Sequence, residues 1–388
     1  QDYTKRRSIN FTNVKKGKGK NSKKSHIYDI ENWALSYSFS EIFRRNVDVE
    51  YDSTRNYKAG LMYNYSPSPK NIRPFAKSKL VKSKYLLLVK DINFYLFANK
   101  LGFSIDVERA YNTMKTRDIT EGEMLVIPTF NKRFTMNRNY DLKYDITKGL
   151  KLDFVATNEA RILEPQGALD TREKKDTVRN NFLDLGKTTQ YNHQLNVNYA
   201  VPINKLPLLD FTTASVRYTG TYNWVRAPFN ADSLGNTIQN SRAIQFTGQL
   251  NMVTLYNKIP YFKKVNQKGS KSKNKKNPPP PPPKNKNSKA AKDSTKKSKE
   301  PPLVLEYVAR VVMSLKNVNV TYGINNGTIL PGYKQFTNMM GMDANFAGPT
   351  PGFILGDQKD IRQTAVENDW LVKTQSLNVP FVQTSSKN

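Results

Sequence analysis

Residues Trp33-Ala34-Leu35-Ser36-Tyr37-Ser38-Phe39-Ser40 alternate strictly: every second position is large and apolar or aromatic, with Ala or Ser between. A period of two sends alternate side chains to opposite faces of a strand. One face here is bulky and apolar and the other small and polar. A soluble sandwich carries its charges on the outer face instead. The segment therefore predicts a transmembrane β-barrel strand, and the rest of the chain repeats the pattern.

The alternation predicts about ten strands. The first is Glu31 to Ser40. The second, Arg55 to Tyr65, sets Tyr57, Ala59, Leu61, Tyr63 and Tyr65 against Lys58, Gly60 and Asn64. The third, Lys100 to Tyr111, sets Leu101, Phe103, Ile105 and Val107 against Gly102, Ser104, Asp106 and Glu108. The fourth covers Phe130 to Ile146, and Thr147-Lys148-Gly149 turns it into a fifth beginning at Leu150. Two alternating strands joined by a short Gly-containing turn form the strongest local signal in the chain. Later strands are Tyr191 to Val201, Phe211 to Val225, Ala243 to Tyr256, Pro302 to Gly323, and one that starts at Leu377 and is cut off. That last run predicts a portion of a longer protein. Ser83 to Phe97 reads as a short amphipathic helix or a strand.

If the Thr147–Gly149 turn is periplasmic, strand counting sets every other connection. Residues 158 to 190, 226 to 242 and 324 to 375 become outer loops. The basic N-terminal stretch, Pro67 to Asn99, Val201 to Asp210 and residues 257 to 301 become periplasmic. The expected organisation is a basic periplasmic segment (1–27), barrel strands and loops (28–256), a disordered Lys/Pro-rich insertion (257–301), and further strands with a folded outer loop at 324–375 (302–388). The outer face of the strands would present Trp33, Tyr37, Phe39, Tyr218, Tyr222 and Trp224 to lipid.

Composition narrows the choice. The chain has 388 residues, no Cys, 37% hydrophobic residues and a formal net charge of +30. The apolar fraction is low for a large dry core, yet Tyr and Phe number 21 and 19, the balance of a wet-lumened barrel. No run of about 18 apolar residues exists to make a membrane-spanning helix. Most of the charge sits in two stretches, Lys5 to Lys24 and Lys263 to Glu300, so the net value describes two appendages. Pro278 to Pro283 are consecutive prolines among Lys, Asn and Ser, a composition that favours polyproline II over a packed fold.

Candidate chemistry is sparse. His26 and His193 are the two histidines, and neither belongs to an HExxH or CxxC pattern. Both read as surface or lumen side chains, and the chain reads as no enzyme, with no cofactor. The lysine tracts lack interleaved aromatics, so nucleic acid is not the expected partner. Solvated tails, or contact with anionic lipid, fit them better. An outer loop carrying Phe336, Met342, Phe346, Phe353, Ile354, Leu355 and Trp370 predicts a folded cap. Within it, Pro349, Pro351 and Gly352 would stiffen a tip. Phe353 would then either face a partner or close an aromatic mini-core.

Several stretches resemble the SprA (Sov) outer-membrane translocon family of the type IX secretion and gliding-motility machinery. They are Ile30-Glu31-Asn32-Trp33-Ala34-Leu35-Ser36-Tyr37-Ser38, Phe43-Arg44-Arg45-Asn46-Val47, Asn64-Tyr65-Ser66-Pro67-Ser68-Pro69-Lys70, Met114-Lys115-Thr116-Arg117-Asp118, Tyr140 to Asp145, Ile329-Leu330-Pro331-Gly332, and Gly348 to Gly356. The Lys/Pro insertion departs from the family pattern. The resemblance implies an arc from the later part of a very large barrel, integral to the outer membrane of a Gram-negative bacterium. It also implies passage of folded proteins bearing a type IX signal domain, a lateral opening, a periplasmic plug protein and a PorV-like barrel as partners. The residues alone leave two alternatives open. One is a small-solute porin or outer-membrane enzyme, the other a soluble basic binding protein.

Overall fold

The computed structural model describes residues 2–17, 26–76, 87–118, 126–206, 208–271, 303–338, 340–374 and 380–388. Along the chain run β1 (Tyr3–Val14), β2 (Trp33–Arg45), β3 (Val49–Tyr65), β4 (Asn71–Ile72), α1 (Leu87–Lys90), β5 (Phe94–Tyr95), β6 (Lys100–Thr116), β7 (Thr129–Asp145) and β8 (Leu150–Arg161). There follow α2 (Arg172–Leu183), β9 (Lys187–Val201), β10 (Thr212–Val225), β11 (Asn236–Asn251), α3 (Met252–Lys258), α4 (Pro260–Lys271) and α5 (Leu303–Val312). The chain closes with β12 (Asn317–Tyr333), α6 (Pro351–Ile354), α7 (Arg362–Glu367) and β13 (Val382–Lys387).

Eleven strands form one antiparallel sheet in the order β1-β2-β3-β6-β7-β8-β9-β10-β11-β12-β13, and β4 pairs with β5 separately. The meander is open: among the described residues β1 and β13 bound it and do not meet, so the sheet is not closed into a barrel.

Register turns the alternation of single strands into two continuous faces, because directly opposed residues share a face. Trp33 lies opposite Tyr63, Tyr63 opposite Phe103 and Phe103 opposite Tyr140. Ring centroids stand 4.9 Å apart for Trp33–Tyr63 and 5.3 Å for Phe103–Tyr140. Further along, Val197, Tyr218, Ile244 and Ile324 continue the apolar face across β9 to β12. On the other face Ser36, Gly60, Asp106 and Asn137 are opposed in turn.

The β7–β8 hairpin forms where the alternation predicts it. The Thr147 hydroxyl accepts from the amides of Gly149 (3.2 Å) and Leu150 (2.9 Å), and the Thr147 amide donates to the Leu150 carbonyl (3.1 Å). β1, β3, β7, β9 and β11 end at this hairpin end of the sheet, and β2, β6, β8, β10 and β12 end at the opposite, cap end.

Several expectations change. The basic segment 1–27 is not an appendage throughout, because Tyr3–Val14 is the edge strand β1, with Ile9 and Phe11 opposite Phe39 and Tyr37. Pro302 to Gly323 does not read through as one strand: Leu303–Val312 is the helix α5, and β12 begins at Asn317. β12 then runs to Tyr333, so the loop expected at 324–375 starts ten residues later, at Lys334. The strand expected at Ala243 to Tyr256 is β11, which starts at Asn236 inside the expected outer loop and ends at Asn251, where α3 begins. The insertion expected to be disordered from 257 opens in helix, the end of α3 and then α4 to Lys271, and its proline run lies outside the described residues. Between 83 and 97 stand one helical turn, α1, and the strand β5. The cut-off strand is β13, and residues 375–379 before it also lie outside the described residues. No helix among the described residues is long and apolar enough to cross a membrane.

Candidate functional site: an apolar sheet face with two covering loops

At the cap end, two loops fold down onto the apolar face. Residues 162–186 cover β6 to β8. Phe182 of α2 stacks on Phe134 at 6.0 Å, and Ile162 and Met136 are buried beneath. Arg109 ties this loop to the sheet through a two-pronged ion pair with Glu164 (2.5 and 3.2 Å), whose side chain is 3% exposed. Lys132 donates to the carbonyls of Pro165 (2.8 Å) and Gly167.

The larger cap, residues 334–371, covers β9 to β12. Its core joins Phe353, Ile354, Ile361, Ala365 and Trp370 to Tyr191, Tyr222, Trp224, Ile238 and Leu330 of the strands. The Phe353 ring meets Tyr222 edge-on at 6.2 Å, and Trp370 meets Tyr333 at 6.0 Å. An irregular loop pressed onto a sheet must satisfy its own carbonyls. The strands supply the donors. The Asn240 amide donates to the Phe353 and Asp357 carbonyls, both at 2.8 Å. His193 Nε2 lies 2.9 Å from the Ile354 carbonyl, Trp224 Nε1 donates to the Gln335 carbonyl at 3.2 Å, and the Tyr222 hydroxyl to the Gly341 carbonyl at 3.1 Å. Gln358 completes the set by donating to Asn240 Oδ1 (3.0 Å) and accepting from Thr328 (3.0 Å).

Close approach requires glycine at two places. A Cβ on Gly341, at φ +86°, would lie 2.5 Å from the Tyr222 ring, and one on Gly220 would lie 2.4 Å from the Leu355 carbonyl oxygen. At the cap's rim, hydrogen bonding to the Arg362 guanidinium (2.7 Å) holds the Asp360 carboxyl at a pKa of about 2, and Lys334 lowers that of Asp369.

The expected site residues divide. Trp33, Tyr37 and Phe39 lie on the uncovered apolar face beside β1 and β3. Tyr218 is half-buried, its hydroxyl on the Leu355 carbonyl. Tyr222 and Trp224 share that face but are wholly buried under the cap, so they do not reach lipid. In the loop, Phe346 is 59% exposed and Pro351 and Gly352 are exposed, whereas Pro349 is buried and Phe353 is 2% exposed. Phe353 is therefore core of the cap and not a presented contact, because the apolar top of the sheet lies within its reach. His193 is no surface or lumen residue: it is buried among Tyr191, Tyr222 and Phe154. Sequence reasoning did not single out Asn240 or Arg138. Arg138 carried a signal, as a polar side chain where the period of two demands an apolar one, whereas Asn240 fell in the stretch read as an outer loop.

The opposite face is polar and carries exposed or half-buried pairings. Lys58 and Arg133 reach Glu108 at 3.3 and 3.4 Å, Arg217 donates to Asn198 (2.8 Å), and Thr219 to Asn196 (2.9 Å). Exposed pairs of this kind contribute little stability, about 0–1 kcal/mol each. Among the described residues no group of three or more His, Cys, Asp or Glu side chains could hold a metal. No protein-family model matches the chain, and no curated protein sequence matches it.

Proposed function

We propose that the sheet is part of the wall of an outer-membrane β-barrel, its apolar face toward lipid and its polar face toward a wide aqueous lumen through which folded proteins pass. The observation that carries this reading is the unequal covering of the apolar face. The caps bury its cap end and leave the remainder bare, including Leu35, which is 53% exposed, and the exposed rings of Phe246 and Tyr322. Soluble proteins rarely leave so wide an apolar surface uncovered. Strand length points the same way. β3, β6, β7 and β12 each have 17 residues, whereas a tilted strand crosses a bilayer in about 9–11. On β6, β7 and β12 the surplus matches the capped portion, which would stand beyond the hydrocarbon. In lipid the free edges of β1 and β13 need partners, since unpaired backbone groups cost several kcal/mol each. Further strands of a larger barrel would supply them.

The protein-conducting role follows the resemblance to the SprA translocon family. Under it the polar face needs no catalytic group, only hydration and weak stickiness. Substrates with a type IX signal domain would pass this face, a plug protein would meet the hairpin end, and a PorV-like barrel would meet the cap end at Phe346, Pro351 and Gly352. A photo-cross-linking residue at Asn196, on the polar face, should capture secreted proteins in living cells, while one at Val197 should capture lipid. Solute flux without protein capture at Asn196 would favour a porin. Identical products at the two positions would overturn the facing itself.

A further inference from the structure

Between the two covering loops lies a cleft of about 380 Å³ lined by Arg138, Asp184, Lys187, Arg226, Thr337 and Asn338 among others. The Arg226 side chain is 9% exposed, and its guanidinium is held between the rings of Phe229 and Phe336, 4.7 Å from each centroid. Its nearest carboxylate is Asp232, at 3.5 Å. Arg138 gives one Nη to Asn158 Oδ1 at 2.8 Å. Three buried polar atoms among the lining residues have no hydrogen-bond partner among the described residues: Nε of Arg226, Nε of Arg138 and Oγ1 of Thr337. Buried donors left unpaired are costly, so three around one cleft call for an acceptor that enters it. Arg138, Lys187 and Arg226 set against Asp184 and Asp232 leave one positive charge over, which makes that acceptor an anion, and guanidinium geometry suits the oxygens of a phosphate.

We propose that this cleft holds the phosphate of a phosphorylated sugar headgroup carried by an outer-leaflet glycolipid. The lipid assignment rests on the barrel-wall reading above. Both loops pack on the apolar face, immediately beyond the bare part, which is headgroup level on the lipid side. A free phosphate has the same oxygens but nothing to place it there.

The test uses the full chain folded in detergent and titrated calorimetrically with lipopolysaccharide, with lipopolysaccharide stripped of phosphate, and with inorganic phosphate. Intact lipopolysaccharide should bind at least tenfold more tightly than either of the others, and Arg138→Gln and Arg226→Gln should each remove that preference. Because Arg226 is packed between rings, Thr337→Val serves as the milder variant: it should weaken binding severalfold while the loops keep their native protease resistance. Equal binding of intact and stripped lipid, equal binding of inorganic phosphate, or an unchanged Arg138→Gln variant would overturn the proposal. Capture of lipid by the cross-linker at Val197 in living cells, with no gain in affinity from glycolipid phosphate, would sink this site alone. Failure of Val197 to capture lipid would sink the barrel-wall reading with it.

Discussion

Gly220 and Leu355 stand so close that a Cβ on the glycine would lie 2.4 Å from the leucine's carbonyl oxygen. The contact is backbone against strand, so no side chain can swing aside to relieve it. Gly220→Ala should therefore lift the cap, with a cost of about 1–3 kcal/mol typical of overpacking. Limited proteolysis between residues 334 and 371 reads the effect. Gly248→Ala, with nothing within 4 Å of the added carbon, is the control and should leave the digestion pattern unchanged.

Asn240 anchors the cap by donating to two loop carbonyls while Gln358 donates to it. Asn240→Leu keeps the branched outline of the side chain but leaves those groups without partners in a buried setting, at about 1–3 kcal/mol for each. Hydrogen exchange at residues 353–358 should accelerate in the variant and stay unchanged in β2 and β3. Uniform acceleration across the sheet would mean that Asn240 supports the strands rather than the loop.

Glu164 is a buried carboxylate whose charge is met by Arg109. Removing one partner strands the other, which typically costs about 3–5 kcal/mol, whereas replacing both with apolar residues is often neutral. Arg109→Met should therefore release the loop at 162–186, and adding Glu164→Leu should restore it. Thermal unfolding of the single and double variants measures the difference. A double variant as unstable as the single one would refute the pairing.

Acid should loosen the cap's rim in a narrow window. The Asp360 carboxyl is held at about 2 against an ordinary 3.8 by its hydrogen bonds from Arg362. A carboxyl depressed in the folded state adds stability above its unfolded value, and that contribution vanishes as the pH falls through the folded one. Cap stability should accordingly be flat above about pH 5 and decline between about 4 and 2. Asp360→Asn should flatten that decline, as followed by protease susceptibility at each pH.

The facing of β2 predicts that Leu35→Arg impairs membrane assembly by about 2–4 kcal/mol if it lies near the midplane, while Ser36→Arg is milder. Folding into vesicles, scored by resistance to protease, compares the two. Equal behaviour would show that the strand does not separate lipid from water.

Most of the sheet was legible because alternation is a local property: Trp33 to Phe39 and the Tyr140 to Phe154 hairpin announce themselves within a few residues. β1 was hidden because Lys5, Arg6 and Arg7 dominate its composition, although Ile9 and Phe11 keep the period. α5 was read as strand because Leu303–Val312 is rich in β-branched Val; helical packing beside α4 overrides that weak preference. The cap was legible as a folded loop, but not its target. Phe353 finds Tyr222 and Ile354 finds His193 across long stretches of chain, and no local pattern encodes such a meeting.

The meander also dictates an order of assembly. Each strand of the main sheet pairs with its nearest sheet neighbours in sequence, so hairpins can add one after another. The cap cannot join early. Its carbonyls need Trp224 of β10, Asn240 of β11 and His193 of β9, and its buried rings need the floor those strands build. A docked cap thus certifies that at least four consecutive strands, β9 to β12, are in register.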